Sequence, residues 1–179
     1  MKMNKLASVF AIALGMSAMG VQAAEIEDQG RGTVTFYGSI IDAPCSISPE
    51  SSNQEVYLGQ VAAHSLDNKG RSTPETFTIN LENCALDEDK NNTISITFGG
   101  ANLAADPELL GIAGSASGAG VAIASATGEQ IELGKKTLVQ NMIEGPNTLL
   151  FSAWLQGLSS GDVVPGEFTS IADFTMQYD

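Results

Sequence analysis

Apolar and polar residues alternate one for one through several short stretches of this chain. That two-residue period is its strongest constraint, because it suits half-buried strands and builds no helical face. In TFTINLENC, residues 76–84, Phe77, Ile79 and Leu81 fall on one face and Thr76, Thr78, Asn80 and Glu82 on the other. TISITFGG, 93–100, repeats the pattern with Ile94, Ile96 and Phe98. EVYLGQV (55–61), TLLFSAWLQG (148–157) and a pair of short strands about the Thr-Gly turn of GVAIASATGEQIEL (120–133) complete the interior set. Turn formers separate them: PESSNQ, the polar connection AHSLDNKGRSTPE, the acidic loop ALDEDKNN and the Gly-Pro turn of TLVQNMIEGPN. DPELLG, 106–111, reads as one helical turn. Many short strands with almost no helical periodicity predict an all-β sandwich. There is no heptad, tandem repeat or interdomain linker.

The first 23 residues stand outside that pattern. MKMNK is a short basic start, LASVFAIALGMSAMG an apolar core, and VQA ends on small residues, which predicts an export signal cleaved after Ala23. Its apolar run is too short for a stable membrane span. About 156 residues (179 less the 23 of the leader) then remain, one domain by size. Both cysteines, Cys45 and Cys84, lie in that mature part. Export to an oxidising compartment favours one disulfide over two buried thiols. Closing a loop of that length stabilises by roughly 4 kcal/mol on the chain-entropy view. The chain carries 8 Lys and Arg against 21 Asp and Glu; Lys2 and Lys5 fall in the leader, leaving 6 against 21 and a mature net charge of −15. Such a surface argues against nucleic acid or an anionic membrane as partner.

Several motifs match catalytic or ligand signatures and fail on their context. GLSSG, 157–161, fits the nucleophile elbow around Ser159, but the lone histidine, His64, lies upstream and no helix follows. DEDKNN, 87–92, begins like a calcium loop, yet Asn92 stands where Gly is needed and Phe98 where Glu is needed. GKKT, 134–137, lacks the glycine of a phosphate loop, Glu129 taking its place. One histidine and two bridged cysteines make no usual transition-metal site. Trp154 reads as core packing; a self-contained periplasmic carbohydrate-binding domain using it is the alternative. The expectation is therefore a chain with no catalytic residues, no metal and no cofactor.

The two ends carry the functional signal. GRGTVTFYGSIIDAPC, 30–45, puts Gly32, Val34, Phe36, Gly38 and Ile40 in alternation with Thr33, Thr35, Tyr37 and Ser39. The charged, Gly-containing stretch AEIEDQGRG precedes it and CSIS follows it as a short strand. The closing stretch FTSIADFTMQYD alternates as well, with Phe168, Ala172, Phe174, Met176 and Tyr178 on one face. The strand then ends at Asp179 with nothing after it to pair beside it, so it presents an exposed edge. Patterning alone leaves two readings of 32–40 equally open: an ordinary first strand of the chain's own sheet, or a strand that joins another molecule.

GTVTFYGSIIDAPCSIS, the second cysteine in INLENC and the ending PGEFTSIADFTMQYD resemble the chaperone–usher pilin family. The resemblance runs along essentially the whole mature chain and is strongest to the major rod subunits of P-pilus and mannose-resistant Proteus-like fimbriae. The family pattern has a central Gly in an alternating N-terminal extension, matched by Gly38, and a disulfide between the first two strands, matched by Cys45 and Cys84. It also has a Gly fourteen residues from the end, matched by Gly166, and a penultimate Tyr, matched by Tyr178.

The resemblance implies an immunoglobulin-like sandwich lacking its last strand. It divides the chain into a signal peptide (1–23), an N-terminal extension acting as donor strand (24–40) and a pilin domain (41–179). Val34, Phe36, Gly38 and Ile40 would enter a groove in the next subunit. Gly166, Phe168, Ala172, Phe174, Met176 and Tyr178 would form the accepting groove and the chaperone-binding strand. The implied function is the major subunit of an adhesive fimbria, exported through the periplasm, delivered by a periplasmic chaperone to an outer-membrane usher and displayed as a head-to-tail homopolymer at the cell surface. A minor adaptor or tip subunit is the neighbouring alternative.

Overall fold

Among the described residues, the strand-forming stretches fold into eleven strands. The computed structural model describes residues 30–89, 92–103, 106–137, 139–159 and 162–179. The predicted leader and the first residues of the extension, 24–29, lie outside the described residues. The chain divides into two units, one ending at Ile40 and the other running from Ile41 to Asp179.

In the first unit, residues 30–40 form neither helix nor strand. Val34 is 74% exposed, Phe36 89% and Ile40 fully so.

The second unit carries β1 (Ser46–Ile47), β2 (Glu75–Cys84), β3 (Thr93–Gly100), β4 (Asn102–Leu103), β5 (Asp106–Gly111) and β6 (Ala113–Gly114). It continues with β7 (Ala119–Ser125), β8 (Gln140–Asn141), β9 (Gly145–Gly157), β10 (Phe168–Thr169) and β11 (Ala172–Tyr178). One sheet has the order β1-β2-β9-β7-β5-β4, a second β11-β3-β8, and β10 pairs with β6. Every ladder between named strands is antiparallel.

The core lies between the two larger sheets. Ile79, Leu81, Val121, Ile123, Leu149, Phe151 and Leu155 point in from one, and Ile94, Ile96 and Phe98 from the other. Phe98 binds the layers together: its ring meets Phe151 at 5.0 Å between centroids, and Phe77 and Phe174 at 6.3 Å each. Three such edge or tilted contacts add about 0.5–1.5 kcal/mol each to the area buried. The alternation in β2 and β3 thus emerges as an inner face, as the sequence predicts.

Cys45 and Cys84 are joined in a disulfide that closes the start of the domain onto the end of β2. Beside it, Asn83 adopts a positive φ of 53° at a bulge where the β2–β9 register shifts. Met142 packs against the bridge, its Sδ 3.7 Å from Cys45 Sγ.

Four local expectations are corrected. DPELLG is strand β5 rather than a helical turn, since Leu110 enters the core opposite Val121 while Leu109 is buried on the outer face. Apolar side chains on both faces of a strand erase the two-residue period. Residues 49–52 of PESSNQ form a one-turn helix, α1, with Pro49 in its first turn. The connection after it contains a 3₁₀ helix, Ala63–Lys69, anchored by buried Leu66. EVYLGQV forms no ladder at all, although Val56, Leu58 and Val61 are half-buried.

Candidate functional site: an open sheet edge beside an apolar groove

The feature that sets this domain apart is β11. It pairs with β3 along its whole length, Ala172 opposite Gly100 through Tyr178 opposite Ile94. Asp179 extends the ladder, exchanging both backbone hydrogen bonds with Thr93 at 3.0 and 3.1 Å. No strand covers its other edge among the described residues.

The ladder fixes what that edge offers. In antiparallel pairing, hydrogen-bonded and non-bonded positions alternate. Because Thr93 and Asp179 form a bonded pair, so do Ser95 with Gln177 and Thr97 with Thr175. The N–H and C=O groups of Phe174, Met176 and Tyr178 therefore point away from β3, toward the open side. The same three residues turn their side chains inward, half-buried against the core, while Asp173, Thr175 and Gln177 are exposed. One row of residues thus presents both an apolar surface and free backbone groups. Burial also raises the Tyr178 hydroxyl above its ordinary pKa of 10.0, and that hydroxyl donates to Met176 Sδ at 3.3 Å.

At the Ala172–Phe174 end of this edge lies a cavity of about 1640 Å³. Phe77, Ile79, Phe98 and Leu110 form its floor. Its lining also takes in the extended segment 54–61, including Val56, Leu58 and Val61, and the stretch from Val163 through β10 to Phe174 at the start of β11. Small-molecule pockets span roughly 300–1,000 Å³, so this trough suits a length of polypeptide. The ladderless EVYLGQV segment and the first residues of β11 both line it.

One end of the trough is set by close backbone contact. Ser115 and Ala116 donate their N–H groups to Glu167 O, and Glu167 N–H returns a bond to Ser115 Oγ. A Cβ on Gly166 would come within 2.5 Å of Ser115 Oγ and 2.6 Å of Ala116 N. Gly166 is required there by proximity. Nothing within the sequence pattern shows this, because the contact joins segments fifty residues apart.

The residues singled out in the sequence fall into two groups. Phe168, Phe174, Met176 and Tyr178 all pack on the core cluster, Phe168 from β10 and the others from β11, while Ala172 is exposed at the start of β11. The closing stretch is therefore two strands in different sheets, broken at Ser170, whose hydroxyl bonds Gly111 O at 2.8 Å. Val34, Phe36, Gly38 and Ile40 belong to the exposed segment, and a Cβ on Gly38 would meet nothing within 4 Å.

His64 is exposed on the 3₁₀ helix. Among the described residues, no group of three His, Cys, Asp or Glu side chains could hold a metal, and no helix is long and apolar enough to cross a membrane. Trp154 is 4% exposed in a second small cluster with Leu109, Ala122 and Ala124, beneath the Arg71 guanidinium at 5.5 Å. It has no open face for a sugar, which removes the carbohydrate-binding alternative built on it.

The site is thus an apolar trough beside a strand edge that no described strand covers. The sequence profile of a family described as Fimbrial protein matches residues 34–179, a span that takes in the exposed alternating segment from Val34 onward. The chain is 48% identical over 179 residues to the Fimbria A protein of Serratia marcescens and to the Major MR/P fimbria protein of Proteus mirabilis, with 99% of each chain covered in both cases. It superposes on a subunit of a chaperone–usher pilus with a TM-score of 0.75 at 29% identity, covering 84% of this chain and 97% of that one. Against the P pilus rod subunit PapA the TM-score is 0.70 at 25% identity, covering 76% and 100%. The chain belongs to the fimbrial protein family of chaperone–usher pilins and is a major, non-enzymatic subunit of a surface fimbrial rod. Its fold is the immunoglobulin-like sandwich of those rod subunits.

Proposed function

We propose that the subunit polymerises by strand exchange: residues 24–40 of one copy insert along β11 of the next and complete its sandwich. The open edge of β11 beside the apolar trough is the observation that carries this reading. Strand addition at an exposed edge is a general recognition mode, of which chaperone–pilin complementation is a known case. Residues 34–40 and 172–178 are equal in length, each about 20 Å at 3.4 Å per residue. An antiparallel insertion, matching every ladder between the named strands, can align the two segments end to end. Val34 then lies opposite Tyr178, Phe36 opposite Met176, Gly38 opposite Phe174 and Ile40 opposite Ala172. The missing side chain at Gly38 leaves room for the Phe174 ring, and the large Ile40 covers the small Ala172.

The inserted strand bonds the N–H and C=O groups of Phe174, Met176 and Tyr178, each bond contributing roughly 0.5–1.5 kcal/mol net. Because the giving segment and the accepting groove are different surfaces, the contact is head-to-tail and generates an open filament. Before assembly the same edge would aggregate, so a periplasmic chaperone strand occupies it until an outer-membrane usher exchanges it for the next subunit's extension. The mature chain lacking residues 24–40 should still be recovered with its chaperone and accept a donor strand, but donate none, giving no filaments by electron microscopy. Filaments from the truncated chain would refute the mechanism.

A further inference from the structure

We propose that the Met176 thioether is a peroxide-sensitive modification site, and that its oxidation disables the accepting edge of an unassembled subunit; this rests on the strand-accepting reading of β11. Six methionines occur in the chain, and four of them, Met1, Met3, Met16 and Met19, lie in the predicted leader. The two that remain differ sharply in setting. Met142 is 7% exposed inside the core, its sulfur against the disulfide. Met176 is half-buried on the edge strand, its sulfur 3.3 Å from the Tyr178 hydroxyl and its backbone facing the open side.

The chemistry needs only a peroxide. A lone pair on Met176 Sδ attacks one oxygen of hydrogen peroxide, the O–O bond breaks as an S–O bond forms, and the departing hydroxide takes the proton of the sulfur-bound hydroxyl and leaves as water. The thioether loses two electrons and the peroxide gains them. The product is a polar, chiral sulfoxide where an apolar, flexible side chain stood. Tyr178 can donate one hydrogen bond to the new oxygen, which favours its formation on the empty edge. Once a strand is seated, however, Phe36 lies over Met176. The thioether makes a favourable contact with that ring, whereas the sulfoxide oxygen has to be desolvated beneath it with a single donor. Seating the strand also shields the sulfur. Oxidation and strand uptake therefore exclude one another: a subunit whose edge is uncovered is vulnerable, one covered by a chaperone or donor strand is protected, and an oxidised one is withheld from the fibre.

The test treats purified mature chain and intact filaments with hydrogen peroxide. It maps oxidation at Met142 and Met176 separately by peptide mass spectrometry. It then measures binding of a labelled synthetic peptide covering residues 30–41. Met176 should oxidise several-fold faster in the unassembled chain than in filaments, with Met142 slow in both. Peptide affinity should fall by about tenfold, the scale expected for a poorly compensated buried polar group. Methionine sulfoxide reductase should restore it. Repeating the measurement in Met142→Leu, a volume-conserving change, assigns the loss to Met176. Equal oxidation of Met176 in chain and filaments, or unchanged peptide affinity after its oxidation, would overturn the inference. Failure of the untreated chain to bind the peptide would instead overturn the strand-accepting reading beneath it.

Discussion

Phe36→Ala separates what a residue does for its own domain from what it does for a neighbour. Phe36 is 89% exposed, so its removal takes almost nothing from the subunit that carries it; surface changes of this kind stay within about 0.5 kcal/mol. Inserted opposite Met176 in another copy, the ring would pass from water onto the inner face of β11. Burying a Phe side chain is worth about 1.5–3 kcal/mol, which corresponds to roughly a 10- to 150-fold change in equilibrium constant. The cavity left by alanine can enlarge that loss. Two measurements on one substitution therefore suffice. The thermal midpoint of the Phe36→Ala chain, followed by Trp154 fluorescence, should match that of the parent. The dissociation constant of the Phe36→Ala form of peptide 30–41 for the parent chain should rise by one to two orders of magnitude. If variant and parent peptides bind alike, Phe36 does not enter a neighbour and the proposed register is wrong. If the thermal midpoint falls by many degrees, residues 30–40 serve their own domain, and the exchange reading fails with them.

Other consequences follow from the same geometry. Gly166→Ala places a methyl group about 2.5 Å from Ser115 Oγ; overpacking of this sort costs about 1–3 kcal/mol, readable as a lowered midpoint in chemical denaturation. Replacing Cys45 and Cys84 together by Ser opens a link spanning 39 residues, and the loss should approach roughly 4 kcal/mol on the chain-entropy view; denaturant titration with and without reductant checks it. Tyr178 supplies a pH signature. Its folded pKa is raised above 10.0 by burial, so the folded state holds the proton more tightly. Its contribution is complete below pH 10 and is lost as pH climbs from there toward the folded value. A seated donor strand buries the ring further, so tyrosinate formation followed by ultraviolet absorbance should shift to higher pH in the complex.

The alternation of TFTINLENC and TISITFGG was enough to place Phe77, Ile79, Leu81, Ile94, Ile96 and Phe98 inside, because a strand with one wet face writes its orientation into its period. DPELLG hid its strand since Leu109 and Leu110 are buried on opposite faces, which leaves no period to read. EVYLGQV carries a strand's pattern yet has no ladder. Its side chains line the trough, where the proposed donor would lie between it and β11. The break at Ser170 was invisible too, since Phe168 keeps the alternation of Ala172 and Phe174 while joining a different sheet.

The sequence by itself determined an exported, acidic, all-β domain, one disulfide, an alternating segment at each end and the family those ends resemble. These are local or compositional properties, legible wherever side-chain period and covalent chemistry suffice. Only the tertiary structure decided that β11 has one edge covered and one left open among the described residues, that Phe174, Met176 and Tyr178 aim their free backbone groups at the open side, and that an apolar trough lies at its Phe174 end. Those facts depend on which distant segments pair and which do not. Hydrogen-bond direction and vacancy belong to the assembled sheet, and no single strand's residues encode them.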